Sequence, residues 1–117
     1  MSTQASDHAP LKELELIILL CLAEEPLHGY ALLDRVGYHS SGFVKPGPTS
    51  LYRAVAQLVD NGLITAAPAP AESNDPRRRY YRQTARGRAI LRAELRRLDD
   101  LVARARDLGI SFDGASR

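Results

Sequence analysis

Residues 11–24 hold the pattern that most restricts how the chain folds. Leu14, Ile17, Ile18, Cys21 and Leu22 recur at i, i+3, i+4, i+7 and i+8, the stripe of an α-helix. Leu16, Leu19 and Leu20 widen that stripe until the helix is apolar most of the way round. Such a helix has to be covered on several sides, by its own domain or by a second chain. Its uninterrupted apolar run, residues 16–23, is too short to span a bilayer. The whole chain, 117 residues, is one domain's length and buries a core without staples. Residues 1–10 lack a basic start and contain Asp7, so they do not read as a signal peptide, and a mobile tail is expected there.

The other periodicities set an order of elements. A shorter helix is expected over about residues 28–36, with Tyr30, Leu33 and Val36 inward, followed by a loop at Gly37 and Ser40-Ser41-Gly42. Lys45-Pro46-Gly47-Pro48 is a second loop, stiffened by the fixed φ of its prolines. Leu51, Val55, Leu58 and Val59 then repeat at helical spacing through Asp60, and Asn61-Gly62 closes that helix with left-handed geometry. Residues 63–67 and 79–84 read as two strands of a β-hairpin whose long tip spans residues 68–76. Thr84 suits an N-cap for one long helix over residues 85–108, ended by Gly109. On it Leu91, Leu95, Leu98, Val102 and Ala105 repeat at 4-3-4-3 spacing, the seam of a helix packed on another helix. The fold class is therefore mainly α with a small β-hairpin: a winged helix-turn-helix over residues 11–84 and a long C-terminal dimerisation helix over 85–109, with tails at 1–10 and 110–117.

The net charge of +2 conceals an uneven distribution. Residues 1–44 carry two basic and six acidic side chains, residues 45–92 nine basic and three acidic, and residues 93–117 five of each. The excess of positive charge thus falls on the third helix and the hairpin, where it suits a polyanionic partner, although a plain solvated surface gives the same count.

In a winged helix-turn-helix the third helix enters the major groove of DNA and the hairpin lies along the backbone. At 100° per residue, with Leu51, Ala54, Val55 and Leu58 inward, Thr49, Ser50, Arg53 and Gln57 fall on the opposite side and Tyr52 on the flank. Arginine bonds the two acceptors of guanine, glutamine the edge of adenine, and hydroxyls bases or phosphate. No acidic side chain interrupts this face before Asp60, and Lys45 adds a cation in the preceding loop. Any exposed helix face is polar, so this pattern alone also fits a solvated surface. Arg77, Arg78, Arg79 and Arg82 cluster on one hairpin arm. In an extended strand Arg78, Tyr80 and Arg82 point one way and Arg79 and Tyr81 the other, so one face packs a tyrosine and the other offers guanidiniums to phosphate. The same charges guard an edge strand against aggregation.

Four segments follow one another in a recognisable order: His28-Gly29-Tyr30, then Pro48-Thr49-Ser50-Leu51-Tyr52-Arg53-Ala54, then Leu58-Val59-Asp60-Asn61-Gly62-Leu63-Ile64, then Arg79-Tyr80-Tyr81-Arg82-Gln83-Thr84-Ala85-Arg86-Gly87. Over residues 11–92 the chain thereby resembles the PadR family of transcriptional regulators, whose pattern runs H-G-Y, G-[ST]-L-Y, L-x-x-x-G-L-I and [RK]-Y-Y-x-L-T-x-x-G. The resemblance implies a bacterial homodimer that represses transcription, with the winged helix on DNA and the C-terminal helices completing the dimer. The single short C-terminal helix is similar to that of compact members. By position, Ser50, Tyr52 and Arg53 become recognition-helix contacts and Arg78 and Arg79 wing contacts. Tyr30 falls near the DNA backbone or behind the recognition helix. Two positions depart from the pattern: Pro48 stands near a usual glycine, and Gln83 replaces an apolar residue.

The resulting DNA-binding set is Tyr30, Lys45, Thr49, Ser50, Tyr52, Arg53, Gln57, Arg77, Arg78 and Arg79, and the dimer interface is expected to use Leu14, Ile17, Ile18, Leu91, Leu95, Leu98, Val102 and Ala105. The three histidines, His8, His28 and His39, lack the spacing and company of metal ligands, so His28 is read as starting the second helix or bonding locally. Cys21, alone on an apolar stripe, reads as a buried inert thiol, in keeping with a reducing cytoplasm. No catalytic triad, nucleophile elbow or phosphate-cradling loop is present in the sequence. The expectation is a cytoplasmic protein that is no enzyme, uses no cofactor or metal and meets no membrane. Its expected partners are an inverted-repeat operator in double-stranded DNA, a second copy of itself, and a small-molecule effector that relieves repression. The resemblance puts that effector at the dimer interface, between the first and last helices, where the lack of tryptophan rules out indole stacking. The alternative is a winged-helix protein-interaction module without sequence-specific DNA binding.

Overall fold

A computed structural model describes residues 10–73, 75 and 77–112. The expected tails, and His8 with them, lie outside the described residues apart from Pro10 and residues 110–112. The elements run α1 (Glu13–Cys21), β1 (Leu27–His28), α2 (Gly29–His39), α3 (Pro48–Asp60), β2 (Ile64–Ala67), β3 (Tyr80–Gln83) and α4 (Ala85–Asp107). The winged helix-turn-helix order read from the periodicities is the order observed.

The strands form one antiparallel sheet in the order β1-β3-β2. Thr65 faces Arg82 and Ala66 faces Tyr81 in the hairpin, while Leu27 and His28 face Tyr81 and Tyr80 on the other side. β1 was not expected. Two residues are too few to leave a periodic signal, and they become a strand only because β3 offers them a free edge.

α1 is shorter than the apolar pattern. It starts after Lys12, whose N–H donates to Glu15 Oε1 at 3.2 Å, and it ends at Leu22, whose N–H is shared between the carbonyls of Ile18 and Leu19. Ile17, Ile18, Leu19 and Cys21 are buried, and the helix packs against α2, α3 and α4, so the multi-sided burial its composition demands is met within one subunit. Around it gather Leu32 and Val36 of α2, Leu51, Val55 and Leu58 of α3, Leu63 and Ile64, and Ile90 and Leu91 of α4.

Several expected orientations are corrected. Tyr30 points outward, 72% exposed, while Leu32 and Val36 hold the inward stripe of α2. Tyr30 stands two residues, or about 200°, from Leu32, so both cannot face the core. α2 also continues through Gly37 to His39, and the break comes at Ser41 and Gly42, with φ of 53° and 82°. Val59 falls beyond the buried face of Leu51, Val55 and Leu58 and is exposed. Ile90 and Leu91 belong to the core, so the first turns of α4 pack into the winged-helix body.

The ends of α4 follow local chemistry. The Thr84 hydroxyl accepts the Gly87 N–H at 2.9 Å and donates to the Gly62 carbonyl at 2.7 Å, while its N–H donates to the Leu63 carbonyl at 3.1 Å. Gly62 supplies the left-handed φ of 75° that ends α3, and Gly109, at 82°, ends α4. Gln83 explains its departure from the apolar pattern. Its amide Nε2 donates to the Leu19 carbonyl at 2.7 Å and its Oε1 accepts from Arg88 Nε at 3.2 Å, so a polar side chain satisfies the end of α1 where a hydrophobe would only fill space.

Candidate nucleic-acid interface

α3 is built to present one face and anchor the other. Gly47 is its N-cap and Pro48 its first residue, where the ring's fixed φ fits and the missing N–H is not needed, so a proline at this position starts the helix cleanly. Leu51, Val55 and Leu58 fix one side in the core, and Thr49, Ser50, Arg53 and Gln57 are all exposed on the other. The first turn carries no acidic residue, so nothing offsets the positive end of the helix dipole there.

Tyr52, on the flank of α3, lies across the start of α2. A Cβ on Gly29 would come within 2.7 Å of its Cζ and 2.8 Å of its Cε1. Gly29 is buried and leaves room for the ring, so the glycine after His28 and the tyrosine after Leu51 are two halves of one contact. Tyr30, the next residue, is exposed on α2, and Lys45 is exposed in the loop before α3.

The wing arginines come before β3, which begins at Tyr80, so Arg77, Arg78 and Arg79 project from the turn region and not from a strand face. The Arg77 N–H donates to Asp75 Oδ1 at 3.0 Å, and its Nε lies 3.5 Å from the same oxygen. Arg78 Nε is 3.9 Å from Asp75 Oδ2, and its Nη1 is 3.4 Å from His28 Nε2. Arg79 is exposed, and Arg82 donates to the Gln83 carbonyl at 3.3 Å. The expected alternation of a tyrosine face and an arginine face is not kept. Tyr80 is buried with the His28 ring edge-on to it at 5.1 Å, and Tyr81 is half-buried against the core, because β3 is the central strand of three.

The sequence predicts that His28 starts the second helix or bonds locally, and in the structure it does both. It is the N-cap of α2, its Nδ1 accepting the Ala31 N–H at 3.3 Å. Burial first, and the Arg78 charge second, hold its pKa below the usual 6.5 against the opposing pull of Asp75.

Among the residues expected at a dimer interface, Ile17, Ile18 and Leu91 are buried in this subunit's own core and offer no surface to a second copy, and Leu14 is half-buried. Farther along α4 the apolar side chains come free. Leu95, Leu101 and Val102 are exposed, Leu98 and Ala105 are half-buried, and Leu108, Ile110 and Phe112 continue the apolar run. Glu94, buried where the two regimes meet, accepts from Arg97 Nη2 at 2.9 Å.

Cys21 is buried and free, its thiol pushed up to about 11 mainly by burial. Among the described residues no group of three or more His, Cys, Asp or Glu side chains is placed to hold a metal, and no helix is long and apolar enough to cross a membrane.

Known proteins share this fold. The model of the Transcriptional regulator PadR-like family matches residues 18–93. Among solved structures, the chain is similar to a PadR-like transcriptional regulator from Bacillus cereus, at 25% identity and a TM-score of 0.69 over 85% of this chain and 93% of that one. It is also similar to a transcriptional regulator from Clostridium thermocellum, at 24% identity and 0.67 over 84% and 90%. A third likeness is to Bacillus subtilis PadR in complex with operator DNA, at 23% identity and 0.62 over 74% of this chain and 48% of that one, so the match spans about half of the latter protein. No curated protein sequence matches the chain.

Proposed function

Because this chain belongs to the PadR-like family of transcriptional regulators, which are not enzymes, we propose that it is a homodimeric repressor that binds an inverted repeat in double-stranded DNA and is released by a small-molecule effector. The observation that carries the reading is the exposed Thr49, Ser50, Arg53 and Gln57 face of a helix anchored from behind, beside a wing that carries Arg77, Arg78 and Arg79. In this reading α3 enters the major groove, Arg53 meets guanine, Gln57 meets adenine, and Thr49 and Ser50 bond bases or phosphate. Tyr30, Tyr52, Lys45 and the wing arginines hold the backbone and set the register. The Bacillus subtilis relative solved with operator DNA supports this use of the fold.

A second copy docks along α4 beyond Glu94, where Leu95, Leu98, Leu101 and Val102 lie in line. Two-fold symmetry then sets the reading helices about 34 Å apart, one turn of DNA. Repression is steric, in the cytoplasm. An effector relieves it by binding more tightly to a dimer whose reading helices are out of register. A hollow of about 470 Å³ bordered by Leu11, Lys12, Gln57, Arg86 and Ile90 joins α1, α3 and α4 and gives such a ligand a place from which to act on the reading helix.

Fluorescence polarization with the DNA upstream of the protein's own gene, against random duplex, tests the reading. Arg53→Ala is expected to cost about 1–3 kcal/mol and relax sequence preference, and Arg78→Ala to lower the log–log salt slope by about 0.9. Equal affinity for random duplex would favour the protein-interaction module. Sedimentation is expected to give a dimer that Leu101→Asp converts to monomer; a wild-type monomer at micromolar concentration refutes the symmetric mode.

A further inference from the structure

His28 stands where the helix-turn-helix meets the wing. Its backbone pairs with Tyr80 of β3, its ring caps α2, and its far nitrogen approaches a wing arginine. These duties cannot all be met at once. A neutral imidazole has one proton for two nitrogens, so one donates and the other accepts. While Nδ1 accepts the Ala31 N–H, the proton sits on Nε2, and that N–H faces Arg78 Nη1 at 3.4 Å, donor against donor. The opposite tautomer accepts from Arg78 and strips Ala31 of its acceptor. The other anchor of Arg78 is weak, since its ion pair with Asp75 is 3.9 Å long and Asp75 also serves Arg77.

We propose that His28 is a positioning residue for DNA binding: the first turn of α2 and the wing's Arg78 compete for one imidazole, and a DNA phosphate that takes Arg78 settles the competition in favour of the cap. The inference rests on the DNA-binding reading and deepens it. A phosphate draws the guanidinium off the ring, Nε2–H is freed, and Nδ1 keeps the Ala31 N–H. The first turn of α2 carries Tyr30 and seats Tyr52 of α3 over Gly29. Docking of the wing therefore stiffens the seat of the reading helix, and the two halves of the interface bind DNA cooperatively.

Among the described residues, the groups that face the ring are Arg78 and Asp75 from the wing, Tyr80 from β3 and the Ala31 N–H from α2. Of these Arg78 alone is a cation, and a phosphate neutralises it. Proton and nitrogen NMR of the full chain reads this directly. The His28 ring is titrated in the free protein and with saturating operator duplex, in wild type and in Arg78→Gln. In the free protein His28 titrates below 6.5; operator raises that value and increases the Nε2–H tautomer. Arg78→Gln raises the value in the free protein and removes the response to operator. His28→Asn keeps a cap acceptor and is expected to bind operator within about twofold of wild type, whereas His28→Ala loses about fivefold at unchanged salt slope. A His28 titration unmoved by bound operator, or a His28→Ala affinity equal to wild type, overturns the inference while leaving the regulator reading intact. Failure of the wild-type chain to bind any operator overturns the regulator reading, and this inference with it.

Discussion

Replacing Gly87 and Gly29 with alanine, one at a time, separates the packing of the fold from the geometry of the interface. Both glycines are buried and helical, and neither needs a left-handed φ, so the difference lies in what a new methyl group meets. At Gly87 it overlaps the Leu63 carbonyl, with the Leu63 carbon at 2.9 Å and Cα at 3.2 Å. That is backbone, and the same oxygen accepts the Thr84 N–H at 3.1 Å. α4 has to lift off the start of the hairpin, which costs about 1–3 kcal/mol of overpacking and about 1 kcal/mol for the strained hydrogen bond, offset by at most about 1 kcal/mol of helix propensity. The net loss is about 2 kcal/mol, or about 6–12 °C in Tm for a domain of this size. At Gly29 the methyl meets the Tyr52 ring, a half-exposed side chain that can rotate into solvent. Stability then changes by less than about 1 kcal/mol, but Tyr52 leaves its seat on the flank of α3 and operator affinity falls about tenfold. Urea unfolding at a fixed protein concentration, paired with polarization binding, reads both numbers. Equal loss of stability in the two variants, or wild-type operator affinity in Gly29→Ala, would refute the assignment of one glycine to packing and the other to the interface.

Other outcomes follow from burial and charge. Leu58→Ala removes a fully buried side chain from beneath the reading face and is expected to cost about 2–5 kcal/mol in urea unfolding; a cost below about 1 kcal/mol would show that α3 is not anchored there. Cys21, with its thiol pushed up to about 11, is expected to resist alkylation at pH 8 in the native protein and to label quickly in denaturant; rapid native labelling would place it at the surface. His28 has a folded pKa below 6.5, so folding favours its neutral form. The stabilisation is complete above pH 6.5 and is lost as pH falls through the lowered folded value. The urea midpoint is therefore expected to drop on acidification, and His28→Asn to flatten that drop; an unchanged slope in His28→Asn counts against a lowered His28 pKa as its source.

The order of elements was legible in the sequence because it is written in short windows. The stripes of α1 and α3 repeat within two or three turns. Gly62, Thr84 and Gly109 mark ends by their own backbone preferences or a cap hydrogen bond, at the positions the sequence predicts, whereas Pro48, expected in a loop, is the first residue of α3. The exposed face of Thr49, Ser50, Arg53 and Gln57 follows from the same arithmetic once Leu51, Val55 and Leu58 are inward. What tertiary structure alone decided is which surface meets which. A stripe states that a residue is covered, not by what, and so Ile17, Ile18 and Leu91 could be assigned to a second copy when the subunit's own core already holds them. β1 exists only because β3 has a free edge, and Gln83 serves α1 only because the end of that helix arrives beside it. Gly29 beneath Tyr52, and His28 between Ala31 and Arg78, likewise join residues tens of positions apart. Local sequence sets the torsions and the faces, whereas contacts between distant segments depend on how all the faces are covered together, and that is settled only when the whole chain packs.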